Sequence, residues 1–193
     1  MRGVLLGLAA LLAAAAGGLA GCSRQAEQAA VSSVRIGGPF QLIDTDGRPV
    51  TEKALLGKPS VIFFGFTYCP EVCPTTLAQL TAAMQALGPG ADRLNVVFIT
   101  LDPERDTPAQ LKLYLSNFDR RIRGFTGTAH AIDAAAKAYR VYHQKVPTEG
   151  GGYTVDHSSV VLLFDKRGRF VEPLGYGAPP ERVLAQLKAL ARG

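Results

Sequence analysis

Two cysteines, Cys69 and Cys73, stand four residues apart between an apolar run at residues 60–66 and a helical pattern at residues 75–87. Side chains four apart point the same way in helical or turn geometry. The N-terminus of a helix carries partial positive charge and unpaired N–H groups, and both favour thiolate over thiol. The pair is therefore predicted to ionise easily, and it can either bind a soft metal or form a disulfide.

His157 is the third residue of this predicted site. It lies directly before residues 158–164, an apolar segment that is predicted to be a buried strand. In the sheet inferred below, the loop that enters this strand passes beside the cysteine loop, so His157 is predicted to face both sulfurs. A lone histidine can equally be an ordinary hydrogen-bonded residue of a loop. His130 and His143 lack this context and are predicted to be surface residues.

Two thiolates and one imidazole indicate the metal. Structural zinc usually takes four protein ligands, and a fourth is missing here. Soft sulfur suits Cu(I), and a cysteine–histidine set also accepts Cu(II). Copper bound by Cys69, Cys73 and His157, one ion per domain, is therefore the leading hypothesis. Asp156 adjoins His157, and it either orients the ring or is a turn residue.

Three other functions remain open for the cysteine pair. In a thiol–disulfide oxidoreductase, Cys69 and Cys73 would be the catalytic pair and would form a disulfide when oxidised. Such redox proteins usually have two residues between the cysteines, and three are present here. A peroxidase usually shows the pattern Pro-x-x-x-Thr-x-x-Cys, but Thr67 is only two residues before Cys69. A purely structural disulfide is the remaining alternative.

The elements that must position these side chains follow from the hydrophobic pattern. Residues 39–50 are predicted to form a hairpin with an Asp46-Gly47 turn. Further strands are predicted at residues 60–66, 94–101, 158–164 and 169–173, and helices at residues 75–87, 108–118, 129–139 and 181–191. A β-α-β half followed by a β-β-α half is the plan of thioredoxin. The predicted fold is therefore α/β and thioredoxin-like, with a central mixed sheet flanked by helices and an N-terminal β-hairpin.

The N-terminus has the pattern of an export signal. Arg2 is followed by an apolar stretch, and residues 19–22, Leu-Ala-Gly-Cys, resemble the lipobox of bacterial lipoproteins. We therefore expect a signal peptide at residues 1–21 and a lipidated Cys22 with a flexible tether at residues 22–35. The copper-binding domain is expected at residues 36–193. An uncleaved membrane anchor is the alternative, although the apolar run is short for a full span.

The charged residues exclude one class of partner. The chain has a net charge of +5, but its basic clusters at residues 120–123 and 166–169 lack interleaved aromatic residues, so nucleic acid is not expected as a partner. Solvated loops are the favoured interpretation of these clusters, and a membrane surface or an acidic partner is the alternative. In residues 102–107, Asp106 and Thr107 are predicted to cap a helix, and Arg105 is a candidate for partner docking.

Several sequence blocks resemble the SCO (SenC-like) family of copper proteins of cytochrome c oxidase assembly. The resemblance runs over most of residues 36–190. Its blocks are residues 68–74, 102–107, 113–114, 124–128, 138–142 and 155–157. It implies a thioredoxin-like fold, a membrane anchor and copper ligands at Cys69, Cys73 and His157.

The same resemblance implies a role and partners. The role is to build the binuclear copper A centre of an oxidase subunit as a metallochaperone, which need not be an enzyme. In some members of the family, the resemblance implies that the protein reduces the cysteines of that oxidase subunit. The implied partners are the copper A subunit, another periplasmic copper chaperone and a thioredoxin-like reductant. The implied location is the periplasmic face of the bacterial inner membrane. Many members have a membrane-spanning helix where this chain has the expected lipid anchor.

Overall fold

The computed structural model describes residues 35–193. The expected signal peptide, Cys22 and nearly all of the expected tether lie outside these residues. Within residues 35–193, no helix is both long enough and apolar enough to cross a membrane.

Seven strands form one mixed sheet in the order β2-β1-β5-β4-β3-β8-β9, and β6 pairs with β7 in a separate hairpin. The strands are β1 (Gln41–Asp44), β2 (Pro49–Thr51), β3 (Ser60–Gly65), β4 (Asn95–Thr100), β5 (Ile122–Thr126), β6 (His143–Pro147), β7 (Tyr153–His157), β8 (Val160–Phe164) and β9 (Phe170–Gly175). β3 pairs in parallel with β4 and antiparallel with β8. The predicted thioredoxin-like class and the N-terminal hairpin are confirmed.

In the part of the chain that the structure describes, four α-helices accompany the sheet: α1 (Val72–Leu87), α2 (Pro108–Leu115), α3 (Ala129–Ala138) and α4 (Pro180–Arg192). Helix α1 begins three residues earlier than predicted, because Pro74 falls in the first turn, where a helix does not need its N–H group. Helix α2 begins as predicted, with the Thr107 hydroxyl accepting the N–H of Gln110 and Pro108 at the first position.

Strand β3 is the centre of the core. All six of its residues are buried, because it pairs with a strand on either side and its two faces are covered. Phe63 packs edge-on against Phe98 of β4, and Phe64 packs against Tyr139 beyond α3. The strand that carries the cysteine loop is therefore held on both edges and covered on both faces.

Strand β5 was not predicted, and the interpretation of residues 120–123 as a solvated loop is wrong in part. Arg123 and Gly124 interrupt the apolar pattern of this strand. Gly124 is required because a Cβ there would lie 2.5 Å from Cδ1 of Leu115 in α2. Arg121 is not freely solvated: its guanidinium pairs with Asp119 at 2.6 Å.

Strand β7 was also missed, and it changes the setting of His157. The sequence indicated a loop there, whereas His157 is the last residue of β7 and pairs in register with His143 of β6. The strand pattern is weak because most residues of this hairpin are at least partly exposed. Three glycines with positive φ, Gly150, Gly151 and Gly152, form the turn between the two strands.

Replacing Gly65 by alanine is expected to destabilise the domain by about 1–3 kcal/mol, the range for overpacking a filled core. A Cβ at Gly65 would lie 2.6 Å from Sγ of Cys73 and 2.9 Å from the Phe98 ring, so the predicted site would move as well. Gly175→Ala is the matched control, because a Cβ there meets nothing within 4 Å. Urea unfolding of both variants measures the difference, and equal stability of the two would contradict the packing described.

Candidate metal centre

The structure brings together the three side chains that the sequence singled out. Sγ of Cys73 lies 3.6 Å from Nε2 of His157. The ligand atoms of Cys69, Cys73 and His157 all lie within 4.8 Å of one another. Cys73 is fully buried, whereas Cys69 and His157 are partly exposed, so the group is open to solvent on one side.

The cysteines are placed by the end of β3 and the start of α1. The N–H of Cys69 donates to the carbonyl of Phe66 at 3.2 Å, which closes a turn just after the strand. Cys73 is the second residue of α1, and its N–H lies 3.4 Å from Sγ of Cys69. Both are free thiols. Sγ of Cys69 thus faces the first turn of a helix, where N–H groups stabilise negative charge.

The two thiols differ strongly in acidity. A hydrogen bond from the Cys73 thiol is the main reason that the pKa of Cys69 falls to about 4, with smaller help from backbone N–H groups. The same hydrogen bond, together with burial, raises the pKa of Cys73 well above its ordinary value. At neutral pH the pair therefore holds one proton, with the thiolate on the more exposed Cys69.

The acidity of Cys69 gives a direct prediction for the reduced, metal-free protein. Iodoacetamide should modify Cys69 before Cys73, and the rate should stay nearly constant between pH 8 and pH 6, because Cys69 remains ionised above a pKa of about 4. An ordinary cysteine with a pKa of about 8.5 would lose roughly tenfold in rate per pH unit over this range. Peptide mapping after timed alkylation checks both points, and a tenfold loss per unit at Cys69 would contradict them.

His157 is held in the orientation that a metal ligand needs. Its Nδ1 lies 3.0 Å from the carbonyl of Ser158, so Nδ1 carries the proton and donates it. Nε2 then presents its lone pair towards the sulfur of Cys73. The ring also packs edge-on against Phe66, with ring centroids 5.8 Å apart.

Asp156 does not orient His157. Its side chain is exposed, and it lies in strand β7, where neighbouring residues point to opposite faces. The carbonyl of Ser158 orients the His157 ring instead. Asp156 is not a turn residue either, because it lies within β7. Sequence patterns could not indicate this, because a backbone carbonyl is present at every residue.

Arg105 is built into the site, and its role in partner docking stays a prediction. Its guanidinium lies 4.0 Å from the ring centroid of Tyr153 and 4.7 Å from that of Tyr68. Nε of Arg105 donates to the buried carboxylate of Asp102, and Nη1 donates to the carbonyl of Tyr153 at 3.0 Å. Tyr153 in turn donates its hydroxyl to Asp102 at 2.7 Å. These four residues join the cysteine loop to the hairpin that carries His157, and we call them the Arg105 clasp.

Asp106 has a second positioning role that the sequence did not reveal. Helix α2 is capped by Thr107 as predicted, but the Asp106 carboxylate is buried and points to the cysteine loop. It accepts the N–H of Thr67 at 3.0 Å and the hydroxyls of Thr67 and Thr100 at 2.6 Å each. Burial raises the pKa of Asp106. The segment leading to Cys69 is therefore fixed to the end of β4.

The donor set suits a soft metal ion. Two sulfurs and one imidazole nitrogen converge, and three donors leave a coordination position for an incoming ligand. Nε2 of His157 already presents a lone pair, and Cys69 is already a thiolate. Only the Cys73 thiol must therefore lose a proton before a metal is bound by all three donors. Since Cys73 must lose its proton, metal affinity should rise with pH.

Comparison with known proteins places these features in context. The family model described as SCO1/SenC matches residues 28–192. The chain is 47% identical over 143 residues to mitochondrial SCO1 of Saccharomyces cerevisiae, covering 72% of this chain and 48% of that protein. The solved structure of Bradyrhizobium japonicum ScoI with copper bound is 50% identical, with a TM-score of 0.75, over 80% of this chain and 99% of that one.

Two further solved structures agree. Yeast Sco1 with copper bound is 41% identical, with a TM-score of 0.76, over 82% of this chain and 90% of that one. BsSco, described as a member of the Sco family of cytochrome c oxidase assembly proteins, is 24% identical with a TM-score of 0.66 over 81% of this chain and 94% of that one, and it supports the fold alone. The chain spans about half the length of the first curated relatives that it matches.

Proposed function

The chain belongs to the SCO1/SenC family of copper-binding proteins involved in cytochrome c oxidase assembly, and from that premise we propose that it delivers copper to the binuclear copper A centre of the oxidase. Cys69, Cys73 and Nε2 of His157 hold one copper ion, as Cu(I) or Cu(II). The copper A subunit is the recipient, and another periplasmic copper chaperone is the donor. The ion is cargo, and apart from the proton that the Cys73 thiol releases on binding and regains on transfer, only bonds to the metal change.

One observation carries this proposal: the hydrogen bond from Nδ1 of His157 to Ser158 leaves Nε2 facing the sulfur of Cys73 at 3.6 Å. A dithiol reductase would need no imidazole in that position. Transfer then proceeds by ligand exchange. A thiolate or imidazole of the recipient occupies the open coordination position, and the ligands of this chain leave one at a time.

The test is a transfer experiment with a purified copper A domain. The reduced chain, loaded with one equivalent of Cu(I), is mixed in twofold excess with the reduced, metal-free copper A domain, because the binuclear centre takes two ions. We expect the chain to lose copper and the copper A domain to gain it, as measured by the copper content of each protein after separation. No transfer from the loaded chain would contradict delivery.

The same experiment separates the alternative function. In thiol reduction, Cys69 attacks a disulfide of the recipient, Cys73 resolves the mixed disulfide, and two electrons leave the pair as the Cys69–Cys73 disulfide forms. A thioredoxin-like reductant would then restore the pair. Two results together would favour this alternative: the metal-free chain reduces an oxidised copper A domain, and the copper-loaded chain transfers no copper.

We also propose that the chain is exported and held by a lipid on Cys22 at the periplasmic face of the inner membrane. The lipobox-like residues 19–22 and the apolar stretch before them support this proposal. Labelled fatty acid should be incorporated into the full chain and lost in Cys22→Ser, because attachment of the lipid needs the sulfur of Cys22. The acyl chains would hold the protein at the bilayer, since each buried methylene adds about 0.8 kcal/mol of membrane affinity. Equal labelling of both chains would contradict it.

A further inference from the structure

Basic side chains gather at the end of the sheet opposite the candidate metal centre. Strands β3 and β4 begin at this end, where Ser60 pairs with Asn95 and with Phe164, the last residue of β8. Cys69 follows the other end of β3. The exposed basic residues at this end, which we call the basic end, are Lys53, Lys58, Arg93, Lys166, Arg167, Arg169 and Arg192.

Contacts between the loops show that these residues form one surface. The N–H of Gly57 donates to the carbonyl of Lys166 at 2.9 Å, which joins the loop before β3 to the turn between β8 and β9. Nζ of Lys58 donates to the carbonyl of Asp92 at 2.9 Å, beside Arg93 at the start of β4. Three separate loops therefore present their cations side by side.

The charges of the two ends differ in sign. The acidic side chains among the cations are fewer: Glu52, Asp92, Asp165 and Glu172. Asp165 is already paired with Arg169, whose Nη2 lies 2.7 Å away. Near the metal centre the exposed charges include Glu71 and Asp156, whereas Glu104 and Lys145 neutralise each other as an ion pair at 2.6 Å. An anionic surface would therefore attract the basic end and repel the end that carries the cysteines.

Apolar side chains lie between the cations. Leu56 is 50% exposed and Val171 is 52% exposed, and both adjoin the turn that carries Lys166 and Arg167. Beside Val171 a groove of about 220 Å³ opens between β8, β9 and α4, and its lining is mostly apolar. Exposed aliphatic residues surrounded by lysine and arginine are typical of surfaces that lie in a bilayer interface.

We propose that the basic end docks on an anionic phospholipid bilayer, with its cations on the headgroup phosphates and with Leu56 and Val171 in the interfacial layer. The metal centre then faces away from the membrane, where a partner can reach it. The first described residues enter the domain near this end, because the position of a Cβ on Gly37 is 2.9 Å from the ring of Phe164. Docking of this kind does not depend on copper or on the lipidation of Cys22.

Residues 35–193 are suitable for the test because they fold as a unit. They contain their own core and form a compact unit. The experiment is co-sedimentation with phosphatidylcholine vesicles that contain or lack phosphatidylglycerol. We expect binding only to the anionic vesicles, and weaker binding as salt is added.

Substitutions locate the surface. Each cation removed from an anionic interface weakens binding by about fivefold, so Arg167→Gln should show that loss and the double variant Lys166→Gln, Arg167→Gln about 25-fold. Arg182→Gln is the matched control, because Arg182 is an exposed arginine in the first turn of α4 and lies outside the basic end. Equal binding of the double variant and the control would overturn the proposal.

A fluorescent reporter gives a second readout, since the chain contains no tryptophan. In Val171→Trp, the tryptophan emission should shift to shorter wavelength on anionic vesicles. In Tyr176→Trp, it should not shift, because Tyr176 is 43% exposed at the end that carries the cysteines. A shift only at Tyr176, or no binding to anionic vesicles at all, would overturn the proposal, and the second result would favour an acidic protein as the partner of the basic end.

Discussion

Replacing His157 by alanine is expected to remove stoichiometric copper binding while leaving the fold intact. His157 is a partly exposed residue at the end of a hairpin, so the core does not depend on it. Loss of Nε2 leaves two sulfurs and no nitrogen. Changes to groups that only support metal ligands cost about 10- to 100-fold in affinity, so loss of a ligand should exceed 100-fold. Copper titration of the reduced protein, followed by sulfur-to-copper charge-transfer absorption, measures this loss.

The matched control is His143→Ala. His143 lies opposite His157 in the same hairpin, but its Nε2 pairs with Asp133 at 3.2 Å. Copper binding should therefore survive in this variant. Alkylation of Cys69 should also survive in His157→Ala, because the main cause of its low pKa is the hydrogen bond from Cys73. Unchanged copper content in His157→Ala would count against the proposed ligand set.

Replacing Arg105 by leucine is expected to cost about 3–5 kcal/mol of unfolding free energy, the range for removing one partner of a buried ion pair. Asp102 is fully buried, and without Arg105 only the hydroxyl of Tyr153 would face its carboxylate. The stacking of Tyr153 on the guanidinium would be lost as well. The hairpin that carries His157 would be held less firmly, so copper should also dissociate faster. Urea unfolding and the rate of copper release to a chelator measure the two effects.

Arg169→Leu is the control for this substitution. Arg169 also pairs with an aspartate, Asp165, but its side chain is 70% exposed. Exposed pairs contribute up to about 1 kcal/mol, so the control should change stability little and copper release not at all. If Arg105→Leu resembled this control in both measurements, the Arg105 clasp would not hold the hairpin.

Much of the fold could be predicted because its central strands are uniformly apolar. Strands β3, β4 and β8 are nearly continuous hydrophobic runs, and helices α2 and α3 each begin at a threonine whose hydroxyl accepts a capping hydrogen bond. Strand β5 was missed because Arg123 and Gly124 interrupt its apolar pattern. Only the tertiary structure shows that Gly124 makes room for Leu115 and that Arg123 lies over the ring of Phe125. Strand β7 was missed because a hairpin with few buried residues leaves little hydrophobic pattern.

The candidate metal centre could also be predicted only in part. Cys69, Cys73 and His157 could be singled out because their side chains carry the chemistry themselves. The groups that hold them could not, because they act through backbone atoms and distant pairings. The carbonyl of Ser158 and the buried carboxylates of Asp102 and Asp106 have no signature that separates them from ordinary turn and capping residues.

The most direct test of the central claim is copper K-edge X-ray absorption on the reduced protein loaded with one equivalent of Cu(I). The arrangement of Cys69, Cys73 and Nε2 of His157 predicts a first shell of two sulfurs and one imidazole nitrogen. The nitrogen should vanish in His157→Ala and remain in His143→Ala. A wild-type spectrum with no imidazole contribution, or with no sulfur, would contradict the account.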